Sequence, residues 1–294
     1  MIEELTVDDL LAQLILLRNV DKRIFMVVEG ESDLGTLEPH TDQNECLMII
    51  GHSKPAVLGV VELAEASSIS SVLGLVDRDW DGDVLPPSIS SNVIYTEHYD
   101  LDATIILTTS ALTRVISNFC DGQKHKNHMA RLGDPGVASL LLRVCAPVGA
   151  LRRLSAKDSL ALSLRNFPIH EVIDVSAGSI DLSRLVSLSC QRSAPIGINE
   201  GELLRRLQGQ LSEFESVYLT SGHDLLAALS TFSSRWGGKA GAKHLGNALR
   251  AAMSCADLVQ TRLYESVDDW ARSKGRRLWN CDVGTGAPVV PSAG

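Results

Sequence analysis

No stretch of this chain approaches the roughly 18 to 20 consecutive apolar residues needed to cross a bilayer, so a membrane-spanning protein is not expected. Its first residues, MIEELTVDDLL, are acidic where a secretion signal is basic. No two cysteines form a CxxC pair: Cys46, Cys120, Cys145, Cys190, Cys255 and Cys281 lie far apart. That spacing argues against a zinc site and a disulfide framework, and predicts reduced, mostly buried thiols in a cytoplasmic protein. The P-loop pattern GxxxxGK followed by Ser or Thr is missing, and Gly237-Gly238-Lys239-Ala240 fails it, so the chain is not expected to hydrolyse nucleotides that way. A serine-hydrolase elbow and an internal repeat are lacking too. The tail GTGAPVVPSAG has the composition of a disordered end.

What remains is a chain of ordinary globular composition, 45% hydrophobic and 21% charged over 294 residues, long enough for one large domain or two smaller ones. A net charge of −9 at first argues against a nucleic-acid partner. The charge is uneven, however: residues 1–142 carry a net −13 and residues 143–294 a net +4. An acidic half beside a basic half suits a metal site next to a phosphate-contacting surface, and equally suits plain solvated surface.

The pattern along the chain is sharper. Residues 7–18 space their apolar positions for an amphipathic helix, with Thr6 placed to cap it. Short apolar runs at 24–28 (IFMVV), 46–50 (CLMII), 72–76 (VLGLV) and 92–96 (NVIYT) read as buried strands of a parallel sheet. Helices are expected between them at 54–66, and after the last at about 100–108. Beyond residue 110, segments 134–146, 148–157, 199–212, 223–236, 241–253 and 257–275 read as helices, with a candidate return strand at VYLT (217–220). The expectation is an α/β domain over 1–110, a parallel sheet flanked by helices, and a mainly helical part over 111–294 whose tail from about 284 is disordered.

Ligands of open parallel sheets gather beyond the carboxyl ends of the strands. IFMVV runs into Glu29-Gly30-Glu31-Ser32-Asp33, and VLGLV runs into Asp77-Arg78-Asp79-Trp80-Asp81-Gly82. If the two strands are neighbours, Glu29 and Asp77 converge, and so many carboxylates repel unless cations neutralise them. Hard oxygen ligands of this kind suit Mg²⁺ or Mn²⁺.

An apolar strand ending in EG, followed about 45 residues later by one ending in DRDWDG, resembles the Toprim domain of topoisomerases, bacterial primases, OLD-type nucleases and some ribonucleases. More narrowly, the series VVEGESD, GHSKPAV, GLVDRDWDG, YTEHYDLDATI and SGHDLLAAL is similar to the AriB-type Toprim effectors of the PARIS anti-phage defence system. The likeness covers about residues 6–108 and touches the second half mainly at Gly222-His223-Asp224.

The resemblance implies that Glu29 is the Toprim glutamate and that Asp77 and Asp79 are the paired aspartates. Asp33 then matches a further acidic position, Asp81 the third of the DxDxD form, and Lys54 a basic residue near the scissile phosphate. Asp100 and Asp102 stand where relatives more usually show DLE, and both read as caps of the following helix. Asp33 also reads as a cap. His223 reads either as a proton donor at a helix start or as a loop histidine beside a capping Asp224. Arg235, Lys239 and Lys243 surround a glycine-rich turn with Trp236 that reads first as a helix connection and second as a nucleic-acid contact.

The chemistry expected is metal-assisted hydrolysis of a phosphodiester. By resemblance alone, the substrate would be RNA, with tRNA favoured, and the protein a homodimeric defence effector held inactive by a separate ATPase. Two alternatives stay open: a DNA endonuclease of OLD type, since RNA and DNA share the phosphodiester, and a non-catalytic Toprim-like binding module.

Overall fold

In a computed structural model, residues 6–84, 86–194 and 197–281 are described; the tail read as disordered from about 284 lies outside them. The chain opens with α1 (Val7–Arg18), whose first turn is closed by a reciprocal pair: the Asp9 N–H donates to Thr6 Oγ1, and the Thr6 N–H to Asp9 Oδ2. Then follow β1 (Ile24–Val28), α2 (Glu31–Leu37), β2 (Cys46–Ile50), α3 (Lys54–Ala66), β3 (Val72–Val76), β4 (Val93–Tyr95) and α4 (Leu101–Thr108).

All four strands are parallel and lie in the order β2-β1-β3-β4. Both faces of the sheet are covered, which is why its strands are apolar without interruption. Phe25 and Val27 of β1, with Val72 and Val76 of β3, pack with Leu10 and Leu14 of α1 and with Val57 and Val60 of α3. Ile24, Met26 and Val28 alternate to the other face and join a larger core built mainly from the helices that follow. The chain leaves β1 toward β2 on one side and returns to β3 on the other. The point where strand order reverses therefore falls between the carboxyl ends of β1 and β3.

The remainder is mainly helical. It comprises α5 (Ala111–Phe119), α6 (Gly122–Leu132), α7 (Val137–Lys157), a short hairpin of β5 (Ile173–Asp174) and β6 (Ser179–Ile180), α8 (Leu182–Gln191) and α9 (Glu200–Glu213). After these come α10 (Ser216–Leu219), α11 (Gly222–Arg235), α12 (Ala242–Ala252), α13 (Cys255–Leu258) and α14 (Arg262–Ser273). The two helical stretches expected around Pro147 are one helix, α7, with the proline buried inside it.

Two expectations are overturned. VYLT is the single turn α10, not a return strand. The Leu219 carbonyl lies so close to α7 that a Cβ on Gly149 would sit 1.6 Å from its oxygen; packing against α7 decides a segment too short to express its β preference. The cysteines are not all free thiols either. Cys255 and Cys281 form a disulfide, their Cα atoms 5.1 Å apart, while Cys46, Cys120, Cys145 and Cys190 are free. The two lie 26 positions apart, so no local spacing announces the pair. It forms because the segment around Trp279 pairs antiparallel with Thr41, bringing Cys281 back to the body of the protein.

Candidate active site

Glu29 and Asp77 each directly follow a strand, and those strands are neighbours with Val28 opposite Leu75. The two acids meet: the Asp77 backbone N–H donates to Glu29 Oε1 at 2.8 Å. Four residues on from Glu29, Asp33 folds back within the first turn of α2, where its Oδ2 accepts the Gly30 N–H at 3.0 Å. The cap reading of Asp33 thus holds, and the cap keeps its carboxylate close enough to act on Asp77.

After β3 the chain turns sharply. Asp79 adopts φ +47°, a left-handed conformation that aspartate tolerates better than most side chains, and Gly82 follows at φ +84°. The turn is pinned by the Asp79 N–H on the Tyr99 carbonyl at 2.8 Å and by the edge-on contact of Trp80 with Tyr99. This directs Asp79 and Asp81 toward Lys54, in the first turn of α3, whose Nζ lies 3.0 Å from a carboxylate oxygen of each. Burial alone would lower the Lys54 ammonium, but these two carboxylates outweigh it and hold the group charged.

A third element closes the site. Asp100 caps α4 by accepting the Ala103 N–H at 2.7 Å, as expected, and with its other oxygen accepts the Gly222 N–H of α11 at 2.8 Å. Asp102 is not a cap: Arg250 of α12 grips it through two bonds, at 2.8 and 2.5 Å. The approach of α11 to α4 requires glycine, since a Cβ on Gly222 would lie 2.4 Å from Asp100 Oδ1. Arg152 of α7 holds α11 in place by pairing with the buried Asp224 at 2.9 and 3.1 Å.

The electrostatic result is a field of mutually repelling acids. Burial first, then the charges of Asp100, Asp33, Glu29 and Asp79, push Asp77 up to about 9. Burial likewise raises Glu29 to about 6 and Asp100 to about 7, against the hydrogen bonds each accepts. Asp33 is raised by burial as well. Such a cluster either keeps protons at neutral pH or takes a hard cation. In the chemistry of its donors the site fits Mg²⁺ or Mn²⁺. Its spacing is looser: among the described residues no three of these carboxylates bring one oxygen each within 4.8 Å of one another.

His223 stands at the start of α11 with its side chain 61% exposed. Its imidazole is raised by the hydrogen bond it donates to the Asp224 carboxylate, and Asp100 also acts on it. The basic residues expected to touch nucleic acid, Arg235, Lys239 and Lys243, are all exposed. Arg235, at the far end of α11, lines a concavity of about 400 Å³ with Lys124, Asn127, His128 and Arg131, whereas the exposed Lys239 and Lys243 do not. Trp236 is no stacking platform, being buried with its indole N–H on His128 Nδ1 at 2.8 Å. A larger apolar groove of about 480 Å³, flanked by Ile116, His125 and Met129, includes none of the carboxylates.

Sequence reasoning missed Arg152, Gly222 and Arg250 as organisers of the site. Only Gly222 carried a signal, its place beside His223 in the motif. The chain matches no protein-family model and no curated protein.

Proposed function

We propose that this protein is a metal-dependent endonuclease with a Toprim-like site. The observation that carries this reading is the convergence of Glu29, Asp33, Asp77, Asp79 and Asp100 at the strand-order switch point, close enough for their charges to push Asp77 up to about 9. Carboxylates accumulated at that point destabilise the fold unless they serve a cation. Glu29, Asp77 and Asp79 would hold Mg²⁺ or Mn²⁺, with Asp33 and Asp81 available to a second ion. When bound, such an ion activates water and stabilises the leaving oxygen of a phosphodiester.

The chain's own groups have distinct parts in this scheme. Lys54 neutralises Asp79 and Asp81, and would be free to meet a phosphate oxygen if those acids held a cation. Glu29, raised to about 6 in the metal-free site, would accept a proton near neutral pH only where the ion leaves it free. His223, whose charged form Asp224 favours, is suited to return one to the leaving oxygen. Arg235 and its neighbours lie at the other end of the same 14-residue helix, about 20 Å away, a span that suits a polymer rather than a small ester.

RNA as substrate, with tRNA favoured, and a role as a homodimeric effector of anti-phage defence released by a separate ATPase, rest on the resemblance to AriB-type effectors. The second reading, a non-catalytic Toprim-like module, draws on one observation: Lys54 already satisfies two of the acids without a metal.

The test is cleavage of total tRNA and of plasmid DNA with Mg²⁺, Mn²⁺ or EDTA, by wild type and Glu29→Ala. Cleavage of tRNA that EDTA and Glu29→Ala both abolish supports the effector reading, and cleavage of DNA instead supports an OLD-type enzyme. No cleavage of either with any metal defeats the claim that this chain suffices as a nuclease.

A further inference from the structure

A second group of metal-ligating side chains converges that differs from the acids in kind and shares no residue with them. His40, Cys255 and Cys281 each bring one ligand atom within 4.8 Å of the others, and they form the only such trio among the described residues. Their positions are fixed by three separate pieces of backbone. His40 ends the turn after α2, Cys255 opens α13 behind its Ser254 cap, and Cys281 lies two residues beyond Trp279, which pairs with Thr41. The Asn280 N–H donates to the His40 carbonyl at 2.8 Å, and the Asp42 N–H to the Leu278 carbonyl at 2.7 Å, so the frame does not depend on the disulfide alone.

The orientation of His40 is the informative feature. Its Nδ1 lies 3.7 Å from both sulfurs. The backbone of Met253 is also hydrogen-bonded to this ring, and with Nδ1 turned to the sulfurs the nitrogen left for that bond is Nε2. In the neutral ring Nε2 then carries the hydrogen, and Nδ1 presents a bare lone pair to two sulfurs that, joined to each other, have no hydrogen to give. Against a disulfide this contact makes no hydrogen bond. Against two thiolates around a cation it is the third ligand, with the other ring nitrogen donating to a backbone carbonyl as metal-bound histidines usually do.

We propose that reduction of the Cys255–Cys281 bond turns this trio into a binding site for one thiophilic divalent cation such as Zn²⁺. A dithiol or phosphine reductant supplies the two electrons that break the S–S bond, and the sulfurs take up two protons. Binding of the cation expels those protons to solvent and forms two metal–sulfur bonds and one metal–nitrogen bond. Cys255 is less buried than the other two ligands, so water has access to a fourth position from its side. The consequence is that the C-terminal segment stays clamped to α13 in either redox state, by a covalent bond when oxidised and, together with the turn after α2 that carries His40, by the cation when reduced.

Cobalt(II) tests this directly, because thiolate ligation gives a charge-transfer absorption in the near ultraviolet that carboxylates do not. The full chain, phosphine-reduced and stripped by chelator, is titrated with Co²⁺ in excess Mg²⁺. The expected result is one equivalent with a thiolate band, displaced by Zn²⁺ and absent from the unreduced protein. His40→Ala is expected to weaken binding at least roughly 100-fold, and Cys281→Ser to remove the band. No thiolate band in reduced wild type overturns the proposal and leaves a structural disulfide only; this comparison of redox states needs no variant to fold. A band of undiminished affinity in His40→Ala overturns it too, placing the metal on other thiols.

Discussion

Asparagine at position 77 is expected to make the metal-free protein more stable and, in the same step, inactive. The folded protein holds Asp77 up at about 9, above the 3.8 of an ordinary aspartate, so between those values the folded chain keeps a proton that the unfolded chain has lost. Stability is therefore full below about pH 4 and falls as pH rises through this window. At about 1.36 kcal/mol for each pH unit above 3.8, the loss at pH 7 comes to about 4 kcal/mol. Asparagine carries no charge to desolvate and its Oδ1 can still accept the Leu101 N–H, now 3.1 Å from Asp77. About 4 kcal/mol is the ceiling of the gain, since a buried amide also loses hydration. For a chain of 294 residues that ceiling corresponds to a rise of about 6 °C in Tm. The assay is thermal unfolding of wild type and Asp77→Asn in EDTA from pH 4 to 8, repeated with Mg²⁺. The gap is expected to be small at pH 4 and to widen toward pH 8, with Mg²⁺ raising the Tm of wild type alone. A variant less stable than wild type at pH 8 in EDTA, or equal stabilisation of both by Mg²⁺, would refute the reasoning.

The other elements of the site make separate predictions. Gly222→Ala forces a methyl to within 2.4 Å of Asp100 Oδ1, so α11 must shift off α4; a cost of about 1–3 kcal/mol in urea unfolding and a loss of activity are expected. Arg152→Met leaves Asp224, now held below its usual value largely by His223 and Arg152 against the opposing effect of burial, without its guanidinium. A loss of about 3–5 kcal/mol is expected near neutrality, shrinking as pH falls and Asp224 takes a proton; an unchanged urea midpoint would count against the pairing. His223→Gln leaves Asp224 an amide donor without the charge and should cost only about 1 kcal/mol, yet slow cleavage about 100-fold. In wild type the rate should fall as pH rises through the raised value of His223, and a variant with the same alkaline limb would remove this residue from the chemistry. Lys54→Met frees Asp79 and Asp81 for cations. Tighter Mg²⁺ binding with slower cleavage is expected, whereas a purely charge-balancing lysine would leave the rate unchanged.

Much of this was written locally. IFMVV, CLMII and VLGLV are strands at the bounds their apolar runs suggested, because strands buried on both faces cannot admit polar residues. Thr6, Ser53 and Asp100 cap the helices they precede, because a cap is a contact across three residues and needs no tertiary partner. The carboxylates of EGESD and DRDWDG were legible as a site for the same reason: a strand end delivers the next residue to a known edge of the sheet. VYLT and the cysteines show where this stops. Four residues hold too little preference to resist packing against Gly149, and no spacing rule joins Cys255 to Cys281 across 26 positions.

By itself, then, the sequence determined the parallel strands, their order of appearance and the two acidic turns that follow β1 and β3. Tertiary structure alone decided that β1 and β3 are neighbours, that Asp100 and Asp33 add their charge to Asp77, and that Arg152 and Arg250 anchor the second half of the chain around them. The physical reason is one of range. Burial patterns and caps act over a few residues, whereas charge and desolvation act through space between segments that only the closed core brings together.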